Sequence, residues 1–549
     1  MKTVKGLSSK CNNVSLMKKL LVLLFITSCV TTQPLINVKT STEFDINYGP
    51  EYNYIQEGSQ QLYFSHMDQI VAIKIDGNVI NFQQFDSKNL RETKRSEFVH
   101  IKNSKQRFIH EEFIQQKDKI LEFYSLRNKE TYEDQLFYQT FTFDNLTPGR
   151  NKLLATTERL QNRLGRNKID VFQSIDQSKI LMVYEFDNEI KNDRKNFQRI
   201  GMIAFDNEMN ELWNNEITMP YAEAFIENMG FTVDNDGNAY MLIQEKNKKE
   251  LTPLELIILS GSSKPNTVEV ANGSFFPKGM KLQQGNNGQI YCAGFYGGRV
   301  NASGVYTSIV GPNGFIKETL RDFPKSFING IKEYPQPENE IYDPTDGIPN
   351  LTLDQVVVHD DGSTTLLGEI FKAIKETNGT NSIVKYYYRD VIVLKFDAEG
   401  ELSWFHNMEK DQYKATAVTN YGTGYYQFKI ITAGTPAKYP LLDMSYKHVY
   451  HNGFHYLLYF DNTNNIGKPS NQTLTQYRSY KNSYFAAYQI NDVSGMVRKL
   501  NVLDPNGFEG SKIYNYGISK IIDLKNGTLV LEVYVKNGLD QLIEIKILE

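Results

Sequence analysis

Three residues that lie close together, His448, His451 and His455, form the best group of candidate metal ligands among the histidines of the chain. Neutral imidazole binds zinc and other transition ions. The intervening Asn452-Gly453 pair predicts a two-residue hairpin turn, flanked by strands whose side chains alternate between the two faces of the sheet. His448 and His455 then share one face as a diagonal pair, while His451 points away. Two ligands do not make a metal site, so ordinary strand histidines are the preferred interpretation and metal binding is the alternative.

A second weak candidate for metal binding is the segment that contains Asp234, Asp236 and Asn238. These residues have the spacing of a calcium-binding loop, and Glu245 falls at its twelfth position. The sixth position, however, holds Ala239 where such loops use glycine. A polar hairpin turn explains the same residues, and it is preferred because similar turn residues recur elsewhere in the chain. No cofactor is predicted.

The sequence lacks the motifs of several enzyme classes. It has no Gly-x-Ser-x-Gly elbow, Walker loop, dinucleotide-binding fingerprint or paired Cys-x-x-Cys. His110 and Glu111 begin like the helix of a zinc protease, but the second histidine is missing. Carboxylate pairs for glycosidic chemistry cannot be selected, because acidic residues occur in nearly every turn. The catalytic residues, if the chain has any, are therefore unknown from the sequence.

Two aromatic runs, Tyr386-Tyr387-Tyr388 and Phe295-Tyr296, carry rings that could stack on sugars. Packing between sheets is the preferred interpretation of both runs. Cys292 lies in a segment with no cationic neighbour, so it is interpreted as a small core residue and not as a reactive nucleophile.

The element that positions these residues is a repeated β-hairpin. A β-branched run from Val356 to His359 is followed by the turn Asp360 to Ser363 and a return strand. Two segments that begin Phe-Asp and end in tryptophan, Phe205 to Trp213 and Phe396 to Trp404, contain the only two tryptophans of the chain. Six turns that resemble one another recur at Asp176, Asp236, Asn287, Asp361, Asn452 and Asn526.

This recurrence predicts an all-β fold, a β-propeller of about seven blades with six or eight as alternatives, because each sheet must bury its faces against neighbouring sheets. Residues 61–549 form the predicted body, with long insertions near 324–350 and 406–440. The first insertion contains five prolines and is predicted to be a long connection or a lid. A short helix is predicted within residues 111–116, and a strand near Leu62 is predicted to close the ring.

The N-terminal segment has the features of a secretory signal. Met17 begins a basic region that precedes the apolar run Leu20 to Ile26, and Cys29 follows two small polar residues. Residues 1–28 are therefore predicted to be a signal peptide, with Met17 as the true start. The segment from Ile26 to Cys29 resembles the lipobox of bacterial lipoproteins, which implies that Cys29 carries the lipid and that residues 29–60 form a tether. The alternative is an ordinary signal peptide.

Composition limits the classes of partner. A net charge of -4 on 549 residues gives no nucleic-acid footprint. With Cys29 lipidated, Cys292 remains as a single thiol downstream, so no intramolecular disulfide is predicted. The chain as a whole resembles a β-propeller lipoprotein of a Gram-negative envelope. No acidic residue follows Cys29 before Glu43, and the resemblance then implies an outer-membrane lipoprotein that faces the periplasm, with surface display as the alternative.

The sequence favours a non-catalytic role in which one face of the ring binds a protein or glycan partner, with membrane attachment through the lipid. Two alternatives stay open. One is a glycoside hydrolase or lyase whose carboxylates surround the central channel, and the other is a purely structural spacer.

Overall fold

A computed structural model describes residues 40–55, 60–100, 105–131, 133–158, 169–186, 194–245, 254–261, 264–269, 276–298, 301–311, 314–331, 347–378, 381–418, 443–468, 472–479, 482–503, 515–536 and 538–548. Residues 38–549 belong to one compact unit. No helix in these ranges combines the length and the apolar character needed to cross a bilayer. The predicted signal peptide and the lipidation site Cys29 lie outside the described residues.

In the described residues, eight antiparallel sheets form the body, seven with four consecutive main strands and the eighth with three consecutive strands and strand β1 (Phe44–Asn53). Blade 1 contains β2 (Gln60–His66), β3 (Gln69–Asp76), β4 (Val79–Asp86) and β5 (Glu92–Val99). Blade 2 contains β6 (Gln106–Gln116), β7 (Lys119–Asn128), β8 (Glu133–Thr142) and β9 (Lys152–Glu158). Blade 3 contains β10 (Ile169–Gln173), β11 (Lys179–Glu185), β12 (Phe197–Asp206) and β13 (Glu211–Ala222). Blade 4 contains β14 (Ile226–Val233), β15 (Ala239–Glu245), β16 (Leu254–Leu259) and β17 (Asn266–Glu269).

Blades 5 and 6 each carry one additional strand. Blade 5 contains β18 (Phe276–Gln284), β19 (Ile290–Gly297), β20 (Asn301–Gly311) and β21 (Gly314–Asp322), followed by helix α1 (Lys325–Gly330) and the short β22 (Ile348–Pro349), which pairs with β20. Blade 6 contains β23 (Leu351–Val358), β24 (Thr364–Asn378), β25 (Asn381–Phe396) and β26 (Leu402–Met408), with β27 (Gln412–Val418) paired to β25. Blade 7 contains β28 (Lys447–His451), β29 (Phe454–Asn462), β30 (Ser483–Asn491) and β31 (Val497–Leu503). Blade 8 contains β32 (Asn515–Asp523), β33 (Thr528–Lys536), β34 (Leu539–Ile547) and β1. Within the described ranges, two 3-10 helices span Glu223–Phe225 and Thr463–Asn465.

The predicted β-propeller is confirmed, with eight blades, one of the alternatives left open by the sequence. All six recurring turns identified in the sequence join the first and second strands of blades 3 to 8. In blades 1 and 2 the equivalent turn has no glycine, and Met67 and Lys117 adopt left-handed backbone angles, with φ of 50° and 51°. Because a non-glycine residue rarely adopts positive φ, these two turns gave no recognisable sequence signal.

The ring is closed by the N-terminal strand. Strand β1 pairs antiparallel with β34 as the fourth strand of blade 8, and Phe44 lies opposite Ile547. The prediction that a strand near Leu62 closes the ring is wrong, because Leu62 belongs to β2 of blade 1. Residues 44–53 fall within the segment predicted to be a tether. Phe44 and Tyr52 are buried in this strand, which ties it to the core of the body.

Two other local predictions are corrected. Residues 111–116 are not helical but belong to β6, where pairing with β7 overrides the local helix propensity. The insertion predicted near 406–440 begins later, because β26 and β27 extend the sheet of blade 6 to Val418, and residues 419–442 lie outside the described ranges. In the insertion near 324–350, α1 places the buried ring of Phe327 against Phe405. The part of this insertion that was predicted to form a long connection or a lid is mainly residues 332–346, which also lie outside the described ranges.

The hydrophobic core consists of layers between neighbouring blades. Blades 1 and 2, for example, bury Phe82 against Phe141, with ring centroids 4.8 Å apart. The two tryptophans occupy equivalent positions on the fourth strands of blades 3 and 6. Each indole Nε1–H donates to a backbone carbonyl of the next blade, Trp213 to Gly237 and Trp404 to Asp492, both at 2.9 Å. The repeated tryptophan segment is therefore a repeated contact between blades.

Candidate functional site

A cluster of side chains that could hold a metal ion lies between blades 6 and 7. Among the residues described, His359, His455 and Asp492 form one group in which one ligand atom from each lies within 4.8 Å of the others. His359 follows β23 and opens the first turn of blade 6, where its backbone N–H donates to Ser363. His455 lies on β29, opposite Tyr450. Asp492 follows β30 directly, so two blades supply the three groups.

The three ligand atoms face one another at short distances. The Nε2 atom of His455 is 2.9 Å from Oδ1 of Asp492, and Nε2 of His359 is 3.7 Å from the same oxygen. The hydroxyl oxygen of Thr365 lies 2.9 Å from Nε2 of His359 and 3.4 Å from Nε2 of His455. Nζ of Lys395 donates to Oδ1 of Asp492 at 2.7 Å. Four polar groups and one ammonium group therefore surround a single small volume.

A second row of side chains orients His455. Its Nδ1 atom lies 2.9 Å from Nε2 of His448, and Nδ1 of His448 lies 3.1 Å from the side-chain oxygen of Gln355. His448 and His455 thus share a face as the hairpin register predicted, and Tyr450 pairs with His455 in that register. The sequence identified this pair but not His359 or Asp492.

Burial and charge keep the imidazoles of the cluster neutral. Burial, followed by the charge of Lys395, lowers the pKa of His359 to about 4. Burial also lowers the pKa of His455 and, well below its usual value, that of His448. In Asp492, burial is outweighed by the close contacts with His455 and Lys395 and by nearby positive charge, so the carboxyl pKa falls below its usual range. A neutral imidazole and an ionised carboxylate are the forms that coordinate metals.

The cluster is close to the surface. His455 and Thr365 are fully buried, whereas the side chain of Asp492 keeps 14% of its surface exposed. The half-exposed ring of Tyr450 lies over both histidines, with centroids 5.0 Å from His359 and 4.9 Å from His455. An ion can therefore reach the cluster past one movable side chain.

The segment with calcium-loop spacing forms a hairpin turn. One carboxylate oxygen of Asp234 accepts the backbone N–H groups of Asp236 and Asn238, and the other accepts from the Asn238 amide and the Tyr240 hydroxyl. Gly237 supplies the positive φ of 88° that the turn requires. These hydrogen bonds are those of the preferred turn interpretation.

The other residues that the sequence singled out are mostly interior. The side chains of Phe295, Tyr296, Tyr386 and Tyr388 are buried, as the packing interpretation predicted. Cys292 is completely buried in β19, and burial raises the pKa of its thiol to about 12.

Three of the acidic groups, Glu532, Asp540 and Glu369, are fully buried and paired with lysines. Glu532 is fully buried between blades 8 and 1, where it accepts from Tyr52 and Tyr63 at 2.6 Å each and from Lys74 at 3.1 Å. Asp540 lies beside it, 3.3 Å from Nζ of Lys74. Glu369 is fully buried and pairs with the buried Lys410. None of these carboxylates is open to a polysaccharide.

A polar cleft of about 440 Å³ opens between blades 8 and 1, at the end where the first turns of the blades lie. Its lining residues are Ser65, His66, Met67, Asp68, Ser87, Lys88, Gln115, Leu524, Lys525, Asn526, Thr528 and Glu544. This lining contains charges of both signs but no phenylalanine, tyrosine or tryptophan. Met67 is 87% exposed at the tip of the first turn of blade 1. The cleft thus combines charged groups with one exposed apolar side chain.

Comparison with known proteins gives no family. No family model matches the chain, and no curated protein matches it. Solved structures that resemble it include the WD40 domain of SCAP from fission yeast, at 7% identity over 92% of this chain and 99% of that chain, with a TM-score of 0.39. The polysaccharide lyase Uly1 is 10% identical over 80% of this chain and 89% of its own, with a TM-score of 0.33. The β-propeller domain of the Trilobed protease from Pyrococcus furiosus is 10% identical over 63% of this chain and 92% of its own, with a TM-score of 0.30.

These similarities are too low to carry any argument about activity. The assignment of the propeller rests on the sheet topology of the chain itself.

Proposed function

We propose that the chain is a lipid-anchored protein of a bacterial envelope whose propeller binds a protein partner without catalysis. The lipobox-like segment that ends at Cys29 supports the anchor, and the polar cleft between blades 8 and 1 supports the binding role. The absence of acidic residues between Cys29 and Glu43 favours an orientation toward the periplasm.

The composition of the cleft is the observation that carries the proposal. Sugar-binding sites present aromatic rings on which pyranose faces stack, and the residues that line this cleft include no such ring. Lys525 and Glu544 instead offer opposite charges, and the exposed Met67 offers a flexible apolar contact. Methionine is common at surfaces that adapt to different protein segments. A polypeptide with charged and apolar side chains therefore suits the cleft better than a glycan.

The buried acids argue against a hydrolase. A glycosidase needs two carboxyl groups that flank an open substrate site. Glu532, Asp540 and Glu369 are each fully buried beside a lysine side chain. We therefore interpret them as members of structural ion pairs between or within blades.

Replacing Met67 by aspartate is expected to abolish capture of the partner from envelope extracts, because it removes the apolar contact from the cleft. Aspartate tolerates the left-handed backbone of this residue, so the fold is expected to be unchanged. The matched control is Met496→Asp, since Met496 is 66% exposed in a turn of blade 7 and is not among the residues that line the cleft. The measurement is quantitative mass spectrometry of proteins bound to the immobilised full-length chain.

Equal capture by both methionine variants would contradict the proposal. So would turnover of a polysaccharide or peptide by the purified protein, if one carboxylate substitution abolished that turnover. Binding of an envelope glycan that Met67→Asp prevents would retain the cleft as a binding site and change the class of partner.

Replacing Cys29 by serine is expected to abolish incorporation of labelled fatty acid and to move the protein from the membrane fraction to the soluble fraction. A serine side chain has no thiol to accept diacylglycerol, and several acyl chains are what makes such anchoring stable. Cys11→Ser is the control, because Cys11 lies upstream of the predicted start at Met17. Unchanged labelling of the Cys29 variant would contradict lipidation at this position.

A further inference from the structure

We propose that His359, His455 and Asp492 bind a divalent transition-metal ion of the zinc type and that this ion joins blades 6 and 7. The proposal is independent of the partner-binding cleft, which lies between blades 8 and 1.

The placement of protons on Gln355, His448 and His455 favours a cation at the cluster. The side-chain oxygen of Gln355 is an acceptor, so Nδ1 of His448 carries the proton that it receives. Nε2 of this neutral His448 is then an acceptor, so Nδ1 of His455 must carry the next proton. The remaining nitrogen of His455, Nε2, is therefore left with a lone pair.

That lone pair faces a carboxylate oxygen. Nε2 of His455 and Oδ1 of Asp492 are 2.9 Å apart, and in the tautomer that the Gln355 oxygen favours neither atom has a proton to offer the other. Two acceptors at this distance repel each other unless a cation lies between them. The hydrogen bonds that run from Gln355 through His448 thus leave a lone pair of His455 facing a lone pair of Asp492.

The distances between the candidate ligand atoms also suit a tetrahedral zinc site. Zinc bonds to imidazole nitrogen and carboxylate oxygen at about 2.0–2.2 Å, which places neighbouring ligand atoms of a tetrahedral site about 3.3 Å apart. The distances from Oδ1 of Asp492 to the two imidazoles, 2.9 and 3.7 Å, lie on either side of that value. The hydroxyl of Thr365 lies within 3.4 Å of Nε2 of both histidines and occupies the region of a fourth ligand.

The types of donor atom in the cluster favour a transition-metal ion. Two imidazoles and one carboxylate suit zinc and related first-row ions, whereas calcium and magnesium prefer oxygen alone. A ligating histidine commonly donates its other N–H to a neighbouring acceptor that fixes its orientation. His448 provides this acceptor for His455, at 2.9 Å.

Lys395 competes with the ion. Its ammonium group donates to Oδ1 of Asp492 at 2.7 Å, which is the oxygen that the ion would bind. An incoming divalent cation must displace this contact and is repelled by the positive charge. Removal of the charge by Lys395→Met is therefore expected to strengthen metal binding severalfold, an effect opposite to that of removing a ligand.

The test is zinc binding by the full-length chain, purified in detergent and first stripped with a chelator. Calorimetric titration with Zn²⁺ is expected to give one ion per chain. His455→Gln and Asp492→Asn are expected to weaken binding by at least about a hundredfold, since loss of even a residue that only orients a ligand costs roughly 10–100-fold. The matched control is His451→Gln, because His451 lies on the same hairpin but points to the opposite face.

Three further measurements distinguish a metal site from a purely structural network of hydrogen bonds. Co²⁺ is expected to give the strong visible absorption of a four-coordinate site in the wild-type protein and not in His455→Gln. Thermal unfolding of the wild-type protein is expected to move upward with Zn²⁺ concentration, because the ion binds the folded state. Circular dichroism of each metal-free variant is the control for an intact fold.

The proposal is overturned if the wild-type protein takes up no zinc, or if His455→Gln binds it as tightly as the wild-type protein does. It is also overturned if nuclear magnetic resonance shows that both ring nitrogens of His455 carry protons in the presence of Zn²⁺, since an imidazolium paired with Asp492 would then supply the cation.

Discussion

Replacing Lys74 by methionine is expected to lower the free energy of unfolding by about 3–5 kcal/mol, the usual cost of removing one partner from a buried ion pair. The side chains of Lys74 and Glu532 are fully buried, and Nζ lies 3.1 Å from the carboxylate. Methionine fills a similar volume but leaves Glu532 without its hydrogen-bonded cation. The nearby ammonium of Lys520 lies 4.0 Å from the carboxylate, which is too far for a hydrogen bond. Denaturant unfolding, monitored by tryptophan fluorescence, measures the loss.

Two matched variants show whether burial of a charged pair causes this loss. Burial and the charge of Glu532 raise the pKa of Asp540 to about 7, so this carboxyl is largely protonated in slightly acidic solution. At pH 6, Asp540→Asn should therefore cost no more than about 1 kcal/mol, because an amide replaces a neutral group of similar shape. Glu216→Gln removes an exposed ion pair with Arg199 and should also cost no more than about 1 kcal/mol. A Lys74→Met loss no larger than that of Glu216→Gln would contradict the explanation.

A chain that lacks residues 1–53 is expected to lose cooperative unfolding and to aggregate. The truncation removes β1, which covers the outer edge of β34 and buries Phe44 and Tyr52. The unpaired N–H and C=O groups of an exposed edge are a template for pairing with another chain. Removal of Tyr52 also deletes a hydrogen bond of 2.6 Å to Glu532. Thermal unfolding and light scattering measure the two effects.

The control for this truncation is a chain that begins at Val38, where the compact unit of the body begins. This shorter truncation keeps β1 complete and is expected to unfold as the full-length chain does. If both truncated chains unfold at the same temperature, the fourth strand of blade 8 is not needed for stability, and the prediction is wrong.

The fold was predictable because its turns repeat. Polar turn residues appear at one equivalent place in six blades, five of these turns also contain a glycine, and the register around Asn452 followed from the hairpin rule. The number of blades was less accessible. Met67 and Lys117 adopt the turn conformation without a glycine, so blades 1 and 2 gave no matching signal.

Of the three residues in the candidate metal cluster, only His455 could be identified from the sequence. His448 and His455 belong to one hairpin, and their shared face follows from alternation along the strands. His359 belongs to a different blade, and Asp492 follows β30, which pairs with the second strand of the hairpin after a long connection in sequence. Their approach depends on how neighbouring blades pack, which no local pattern records. The closing strand was missed for the same reason, since its partner is β34 at the other end of the body.

The pairing of β1 with β34 also sets the order of events during synthesis. Phe44 is synthesised long before its partner Ile547, so the sheet of blade 8 cannot be completed until β34 has been made. Domains usually fold as units during or after synthesis, and contacts between distant parts of a chain form slowly. This topology delays closure of the ring until β34 is available. The pairing of β1 with β34 is therefore a late step in the folding of the body.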